Sequence, residues 1–319
     1  MNDAWGRRPT YLRVSLTQEC QLACLYCRAA PQGATVRDCL TTGELLRLAR
    51  GLVDICGIEK IRLTGGEPLL HPEVVEVAAC LRKLPGVRYL GLTTNALRLP
   101  ELAGELRRVG VDGVNVSLDS LRPEVYRRLT GGGALEQAVA GLEAARRYDW
   151  RLKINTVLVA GYNDDEILDF VRWVEGTPIE LRFIEVMPTG LGDPSLRERL
   201  VPSTRVRAVV GRAYRLAPLP RAPGASARLF RAQRNGAVCT VGLISPVTDP
   251  FCAECNRLRL TADGTLVACL LTDARVDLRP CVRPRWRPRA LELAVRGAVT
   301  SKPLGQEPGA SADMLRVGG

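Results

Sequence analysis

The sequence predicts an α/β protein: a partial (β/α)6 TIM-like barrel with a C-terminal α+β extension closing the barrel mouth. Three observations carry this reading. From residue 11 to about 187, short β-like runs alternate with helical ones, the pattern of a parallel sheet or barrel. Six of the β-like runs place polar residues at every second position. Beyond residue 188 the alternation breaks and hairpin-like runs replace it. The expected division is therefore 1–187 for the partial barrel and 188–319 for the extension.

In the first β-like run, Arg13, Ser15 and Thr17 share one face against Leu12, Val14 and Leu16. Thr41, Thr42, Gly43 and Glu44 then have the spacing of a capping box. Leu45, Leu48, Leu52 and Cys56 recur behind it at helical period. Lys60, Arg62 and Thr64 alternate with Ile61 and Leu63. His71 is read as a helix-entry residue before Pro72, and a helix over 72–84 carries Val74, Val77, Ala78 and Leu81 on one stripe. Thr93 with Asn95, then Asn115 with Ser117 and Asp119, continue the strand pattern. A helix over 134–147 presents Leu135, Ala138, Val139 and Leu142. Lys153 with Asn155 and Glu180 with Arg182 complete the six strands.

A strand buried on both faces of a parallel sheet should be apolar at every position. These six are not, so with the apolar parity packed on helices the polar parity points into one lumen. A lumen lined by cations, hydroxyls and amides implies a large polar ligand, because burying such groups without partners is costly. An open sheet with one wet face is the alternative that periodicity leaves standing. Active-site residues are expected at the carboxyl ends of the strands, where Cys20 to Cys27, Gly65 to Pro68 and Thr93 to Asn95 sit. Past the break at 188–203 come a helix near 203–212, a Pro/Gly/Ala connection at 217–227, and runs at 228–234 and 237–244 with Asn235 and Gly236 as the turn between them.

Composition narrows the chemistry. No run of eighteen apolar residues exists and the first ten residues lack a signal-peptide core, so the expectation is a cytoplasmic protein with no membrane partner. A net charge of +11 first suggests nucleic acid, but the charge is diffuse, and its densest run, Arg279 to Arg289, is interrupted by prolines and reads as a solvated face. With one histidine, His71, a Ser/His/Asp set is excluded. Eleven cysteines in such a chain argue for metal or cluster ligation rather than disulfides. Cys39, Cys56, Cys80, Cys239 and Cys281 are assigned to packing. The other six form two sets of three.

Cys20, Cys24 and Cys27 form a CxxxCxxC run with Tyr26 before its last cysteine. Three thiolates this close can cap three irons of a four-iron cluster and leave the fourth iron open. Zinc normally closes four ligands at shorter spacings, so the spacing favours a cluster. Cys252, Cys255 and Cys269 form the second set. Taken alone it suits zinc, with Cys281 or Cys239 as a fourth ligand, and a cluster equally well. Arg257 and Arg259 alternate on the following strand and share a face beside it.

The CxxxCxYC run after a strand resembles the signature of the radical S-adenosylmethionine superfamily, which implies reductive cleavage of that cofactor at the open iron to a 5′-deoxyadenosyl radical. FCxxCxRxRLTxDG after GLISPV, with Ile61 to Pro68, Leu92 to Asn95, Asn115 to Asp119, Arg182 to Glu185 and the terminal Gly318 and Gly319, resembles the GTP 3′,8-cyclase family from about residue 11 to 319. The resemblance implies two [4Fe-4S] clusters, on Cys20, Cys24 and Cys27 and on Cys252, Cys255 and Cys269. It implies S-adenosyl-L-methionine near Tyr26, Gly66, Ser117 and Met187, and GTP contacts from Arg13, Arg62, Thr93, Lys153, Arg257 and Arg259. Arg13, Arg257 and Arg259 are the implied catalytic side chains, and Lys60 and Arg182 belong to the same basic lining.

The implied activity is that of a lyase that converts GTP to (8S)-3′,8-cyclo-7,8-dihydroguanosine 5′-triphosphate, the first step of molybdenum cofactor biosynthesis. Cyclic pyranopterin monophosphate synthase is the implied downstream partner, and a homodimer is compatible with the resemblance. A radical enzyme acting on RNA or a peptide, and a non-enzymatic iron–sulfur or zinc module, are the rivals. The chain departs from the family pattern at Glu19, at Arg28 and Ala29, and at Ala96, where the family has glycine.

Overall fold

The computed structural model describes residues 1–27, 39–187, 194–270, 272 and 274–305. The Arg28 and Ala29 departure, residues 188–193 of the 188–203 break and the Gly318–Gly319 end lie outside them.

Strand β1 (Tyr11–Ser15) starts the sheet, and α1 (Thr42–Cys56) follows with the expected cap: the Thr41 hydroxyl accepts from the Glu44 amide while the Glu44 carboxylate accepts from the Thr41 amide. Such a box contributes about 1 kcal/mol. The winding continues through β2 (Lys60–Thr64), α2 (Val74–Arg82), β3 (Tyr89–Thr94), α3 (Leu99–Arg108), β4 (Gly113–Ser117), α4 (Pro123–Thr130), α5 (Leu135–Arg146), β5 (Arg151–Leu158), α6 (Ile167–Val174) and β6 (Glu180–Glu185). His71 ends a single helical turn over Pro68–Leu70, and its Nδ1 accepts from the Glu73 amide at the entry to α2. Leu12, Val14, Ile61, Leu63, Leu90, Leu92, Val114 and Val116 are wholly buried, which places the apolar strand parity in the core under the helices.

The extension is built into the same sheet. After α7 (Ser203–Ala213) come β7 (Arg215–Pro218), β8 (Arg228–Arg234) and β9 (Ala237–Ile244), then β10 (Arg257–Leu260), β11 (Thr265–Val267), β12 (Arg275–Asp277) and α8 (Pro288–Thr300). Asn235 and Gly236, both at positive φ, make the tight turn between β8 and β9. The strand order is β12-β11-β10-β1-β2-β3-β4-β5-β6-β9-β8-β7. β10 lies parallel to β1 and β9 parallel to β6, so the six expected parallel strands become eight, flanked at each edge by antiparallel strands. The sheet is open, with β12 and β7 at its two edges.

Candidate active site

Register turns the parity argument into geometry, because residues paired across neighbouring strands face the same side. One row runs Arg257–Tyr11–Lys60–Tyr89 and the next Arg259–Arg13–Arg62–Gly91–Gly113–Arg151. Above them lie Thr93–Asn115–Lys153–Glu180–Thr240 and Ser117–Asn155–Arg182–Gly242. The polar residues read from the sequence thus line one concave face. The arginines at 13, 62, 182, 257 and 259 and the lysines at 60 and 153 share it with the carboxylate of Glu180, which binds Lys153 at 2.9 Å and also accepts from Arg182.

Glycines make room on this face. A Cβ at Gly91 would stand 2.8 Å from the Arg62 guanidinium, and one at Gly113 would stand 2.4 Å from the Tyr89 hydroxyl. Arg62 is 3% exposed; its Nη1 donates to Leu92 O at 2.7 Å and its Nε to the Tyr11 hydroxyl at 2.8 Å. Lys60 lies over the rings of both Tyr11 and Tyr89. Burial alone would raise the Tyr11 phenol, but Arg62, Arg13, Lys60 and Arg257 around it bring it down to about 7. Burial brings Lys60 down to about 8, with Arg62, Lys153 and Arg182 acting in the same direction.

The two cysteine sets occupy opposite ends of this face. Cys20, Cys24 and Cys27 follow β1 at its carboxyl end, whereas Cys252 and Cys255 precede β10 at the amino end and Cys269 returns there after antiparallel β11. The lining between them is one strand long, about 15 Å at ~3.3 Å per residue.

The first loop is seated by backbone contact. The Gly66 amide donates to Thr17 O and the Glu67 amide to Glu19 O, and a Cβ at Gly66 would stand 2.1 Å from Glu19 O, so only glycine allows this approach. Buried Glu67 accepts from the Thr94 hydroxyl and from the amides of Asn95 and Leu69, and burial raises it to about 7. Asn95 in turn reaches Gln21 at 3.1 Å and the Cys20 sulfur at 3.9 Å. The Tyr26 hydroxyl donates to Asp119, whose other oxygen accepts from the Val157 amide. Burial raises the Cys20 thiol to about 11 and pushes Cys24 well up, with Asp119, Cys27 and Cys20 adding to the latter.

The second loop sits among cations. Arg257 stacks on Phe251 with Nη1 3.9 Å from the Cys255 sulfur, and Lys302 donates to Cys255 O and Arg257 O, each at 2.9 Å. Burial would raise the Cys255 thiol, but Lys302 and Arg257 bring it down to about 7.

Each set of thiols fits a cluster in its chemistry: three soft donors with no fourth cysteine in the same loop. Within each trio the thiols interact electrostatically, yet among the described residues no three Cys, His, Asp or Glu side chains converge on a single-ion site. A cluster gives each thiolate its own iron and does not ask for such convergence. The lumen fits a polar ligand, because Ser15 Oγ, Asn115 Oδ1, Asn155 Oδ1 and Arg259 Nε are buried on it with no hydrogen-bond partner among the described residues. Ser117 and Met187 stand at the carboxyl edge with Tyr26 and Gly66.

Sequence reasoning passed over Tyr11 and Tyr89, which share parity with Arg13 and Thr93 and were accessible to the same rule. Asp119, read as sharing the parity of Asn115 and Ser117, has its carboxylate engaged by the Tyr26 hydroxyl and the Val157 amide. Lys302 carries no periodic signal and was missed.

Residues 14–174 match the Radical SAM superfamily and residues 179–307 match Molybdenum Cofactor Synthesis C. The chain is 40% identical to the GTP 3′,8-cyclase of Rhodopseudomonas palustris, over 96% of this chain and 90% of that one, and 36% identical to the GTP 3′,8-cyclase of Alkaliphilus oremlandii, over 95% and 93%. It is 39% identical to molybdenum cofactor biosynthesis protein 1 of Drosophila melanogaster over 89% of this chain and 50% of that one. In fold it is similar to Streptococcus suis SuiB bound to precursor peptide SuiA, with a TM-score of 0.60 at 14% identity, covering 97% of this chain and 70% of SuiB. A lumen lined for a polar ligand and near-full-length identity lead to one conclusion: this chain belongs to the GTP 3′,8-cyclase family of radical S-adenosylmethionine enzymes.

Proposed function

We propose that the protein converts GTP to (8S)-3′,8-cyclo-7,8-dihydroguanosine 5′-triphosphate, the first step of molybdenum cofactor biosynthesis. The observation that carries this reading is a cation-lined face one strand long with a three-cysteine loop at each end. Cys20, Cys24 and Cys27 would hold one [4Fe-4S] cluster, with S-adenosyl-L-methionine between Tyr26, Gly66, Ser117 and Met187; Cys252, Cys255 and Cys269 would hold a second. Together the first cluster and S-adenosyl-L-methionine supply a carbon-centred radical able to take hydrogen from an unactivated carbon.

The chain's own work is to position and shield. Arg62, Lys153, Lys60 and Arg182 hold the triphosphate, the guanidiniums offering paired donors and the lysines point charges. Thr93 adds a hydroxyl beside Arg62. Arg13, Arg257 and Arg259 lie toward the second cysteine loop and orient the nucleoside, so that ribose C3′ and guanine C8 are held within bonding reach. Glu180, by pairing with both Lys153 and Arg182, keeps these two side chains extended across the lumen. Cyclic pyranopterin monophosphate synthase would take the product in the cytoplasm, and a homodimer is compatible with this arrangement.

Anaerobic reconstitution followed by incubation with GTP, S-adenosyl-L-methionine and a reductant tests the reading. The expected result is 5′-deoxyadenosine formed together with loss of GTP and appearance of the cyclic product. Deoxyadenosine without GTP consumption would overturn the substrate and spare the radical chemistry. Neither would overturn both.

A further inference from the structure

Lys302 is 3% exposed, and no carboxylate among the described residues pairs with it. Its ammonium donates to two carbonyls, Cys255 O and Arg257 O, both at 2.9 Å. The neighbouring cation Arg7 is differently placed: it forms a 2.6 Å ion pair with buried Asp3 and so carries its own counter-charge. Arg7 also donates to Cys252 O at 2.6 Å and to Pro303 O at 2.7 Å, tying the segments before β1 and after α8 to the second cysteine loop. Arg7 still acts against the Lys302 charge rather than compensating it. Two carbonyls do not neutralise a buried ammonium, and leaving such a charge unpaired costs several kcal/mol. Among the described residues, the groups able to carry negative charge that act on Lys302 are the thiols of Cys255 and Cys269.

We propose that Lys302 is the counter-ion of the second cluster: a positioning residue that holds the Cys255–Arg257 backbone while its charge offsets the anion bound by Cys252, Cys255 and Cys269. This rests on the reading that those cysteines hold a [4Fe-4S] cluster. Such a core bound by three thiolates is a net monoanion and becomes a dianion on one-electron reduction. A buried cation at the loop therefore favours the reduced state, and removing it makes reduction harder.

The test uses the full chain, reconstituted anaerobically, with iron and sulfide analysis and a spectroscopically monitored redox titration of each cluster. Lys302→Met is expected to shift the second cluster to more negative potential, at least tenfold in the reduced-to-oxidised ratio, about 59 mV for one electron. The first cluster stays unchanged, and Lys302→Arg, which keeps the charge, restores most of the shift. Loss of iron from the second site alone in Lys302→Met, recovered in Lys302→Arg, supports the same role. An iron-replete Lys302→Met with the wild-type potential would overturn it. So would loss of iron from both sites alike, which would make Lys302 a residue of the fold only. If Cys252→Ser, Cys255→Ser and Cys269→Ser all keep the wild-type iron content, the second cluster itself is wrong and the proposal goes with it.

Discussion

The two cysteine loops offer the same number of thiols in opposite electrostatic settings. Around Cys20, Cys24 and Cys27 the ionisable neighbours are the acids Glu67 and Asp119, and the Cys20 and Cys24 thiols are pushed up. Around Cys252, Cys255 and Cys269 they are Arg7, Arg257, Arg259 and Lys302; burial still raises Cys252, but Lys302 and Arg257 bring Cys255 down to about 7 against its burial. An acidic setting suits a cofactor bearing a sulfonium cation; a basic one suits an anionic nucleotide. The difference supports the proposed division, S-adenosyl-L-methionine at the first loop and the nucleotide toward the second, although the sulfur sets alone look interchangeable.

Removing a thiol is the strongest way to break that comparison. Cys24→Ala is expected to abolish both 5′-deoxyadenosine formation and GTP loss, whereas Cys255→Ala should leave the first detectable and abolish cyclic product, each variant losing about half of the cluster iron. Chromatographic assay of both products with iron analysis separates the two. If the two variants behave identically, the loops do not divide the work. Next in size is Arg62→Met on the lumen between them. It removes a charge-assisted contact of roughly 1.5–3 kcal/mol, so affinity for GTP by equilibrium binding should fall about tenfold to a hundredfold.

Asp119→Asn perturbs only the first end. The carboxylate accepts from Tyr26 and from the Val157 amide, so the amide variant unpins the aromatic ring of the cysteine loop. KM for S-adenosyl-L-methionine should rise by about an order of magnitude while GTP affinity holds. A parallel loss of GTP affinity would mean that the two ends are mechanically coupled.

The lumen floor gives a smaller, pH-dependent signature. Tyr11 falls from an ordinary 10.0 to about 7, and Lys60 from 10.5 to about 8. Both folded values lie below those of the unfolded chain. Between about pH 7 and 10 the unfolded chain therefore holds protons that the folded chain has released, and stability rises with pH. GTP affinity should move the other way as Lys60 loses its charge. Denaturant titrations and binding measured across that range should give opposite slopes, and Tyr11→Phe should flatten the first.

Much of this site was legible because a strand has a period of two. Arg13, Arg62, Lys153 and Arg182 could be placed on one face from the sequence, and the register puts them there, with Arg257 and Arg259, read only as sharing a face with each other, joining them through β1. The two parallel edge strands were less legible. β9 follows a hairpin turn and β10 is four residues long, too short to show a pattern beyond Arg257 and Arg259. Lys302 was illegible in principle: it follows α8 in a loop, and what makes it notable is a missing carboxylate, which only three-dimensional neighbours reveal.

The smallest expected effect concerns the departure at Ala96, beside the Asn95 that reaches Cys20. Ala96 has φ 70°, the left-handed region that costs a residue with a Cβ roughly 1–2 kcal/mol. Glycine would remove that strain. Against it stand about 0.4–1 kcal/mol from the freer unfolded chain and about 0.8 kcal/mol from the buried methyl group. That methyl is wholly buried against Gly141, where a further Cβ would stand 2.0 Å from Ala96 O. The three contributions nearly cancel, so Ala96→Gly should change unfolding free energy by less than about 1 kcal/mol and leave the spectrum of the first cluster unaltered. A larger change, or a shifted spectrum, would show that the backbone at residue 96 sets how Asn95 meets the Cys20 sulfur, a sensitivity with no counterpart at the second loop.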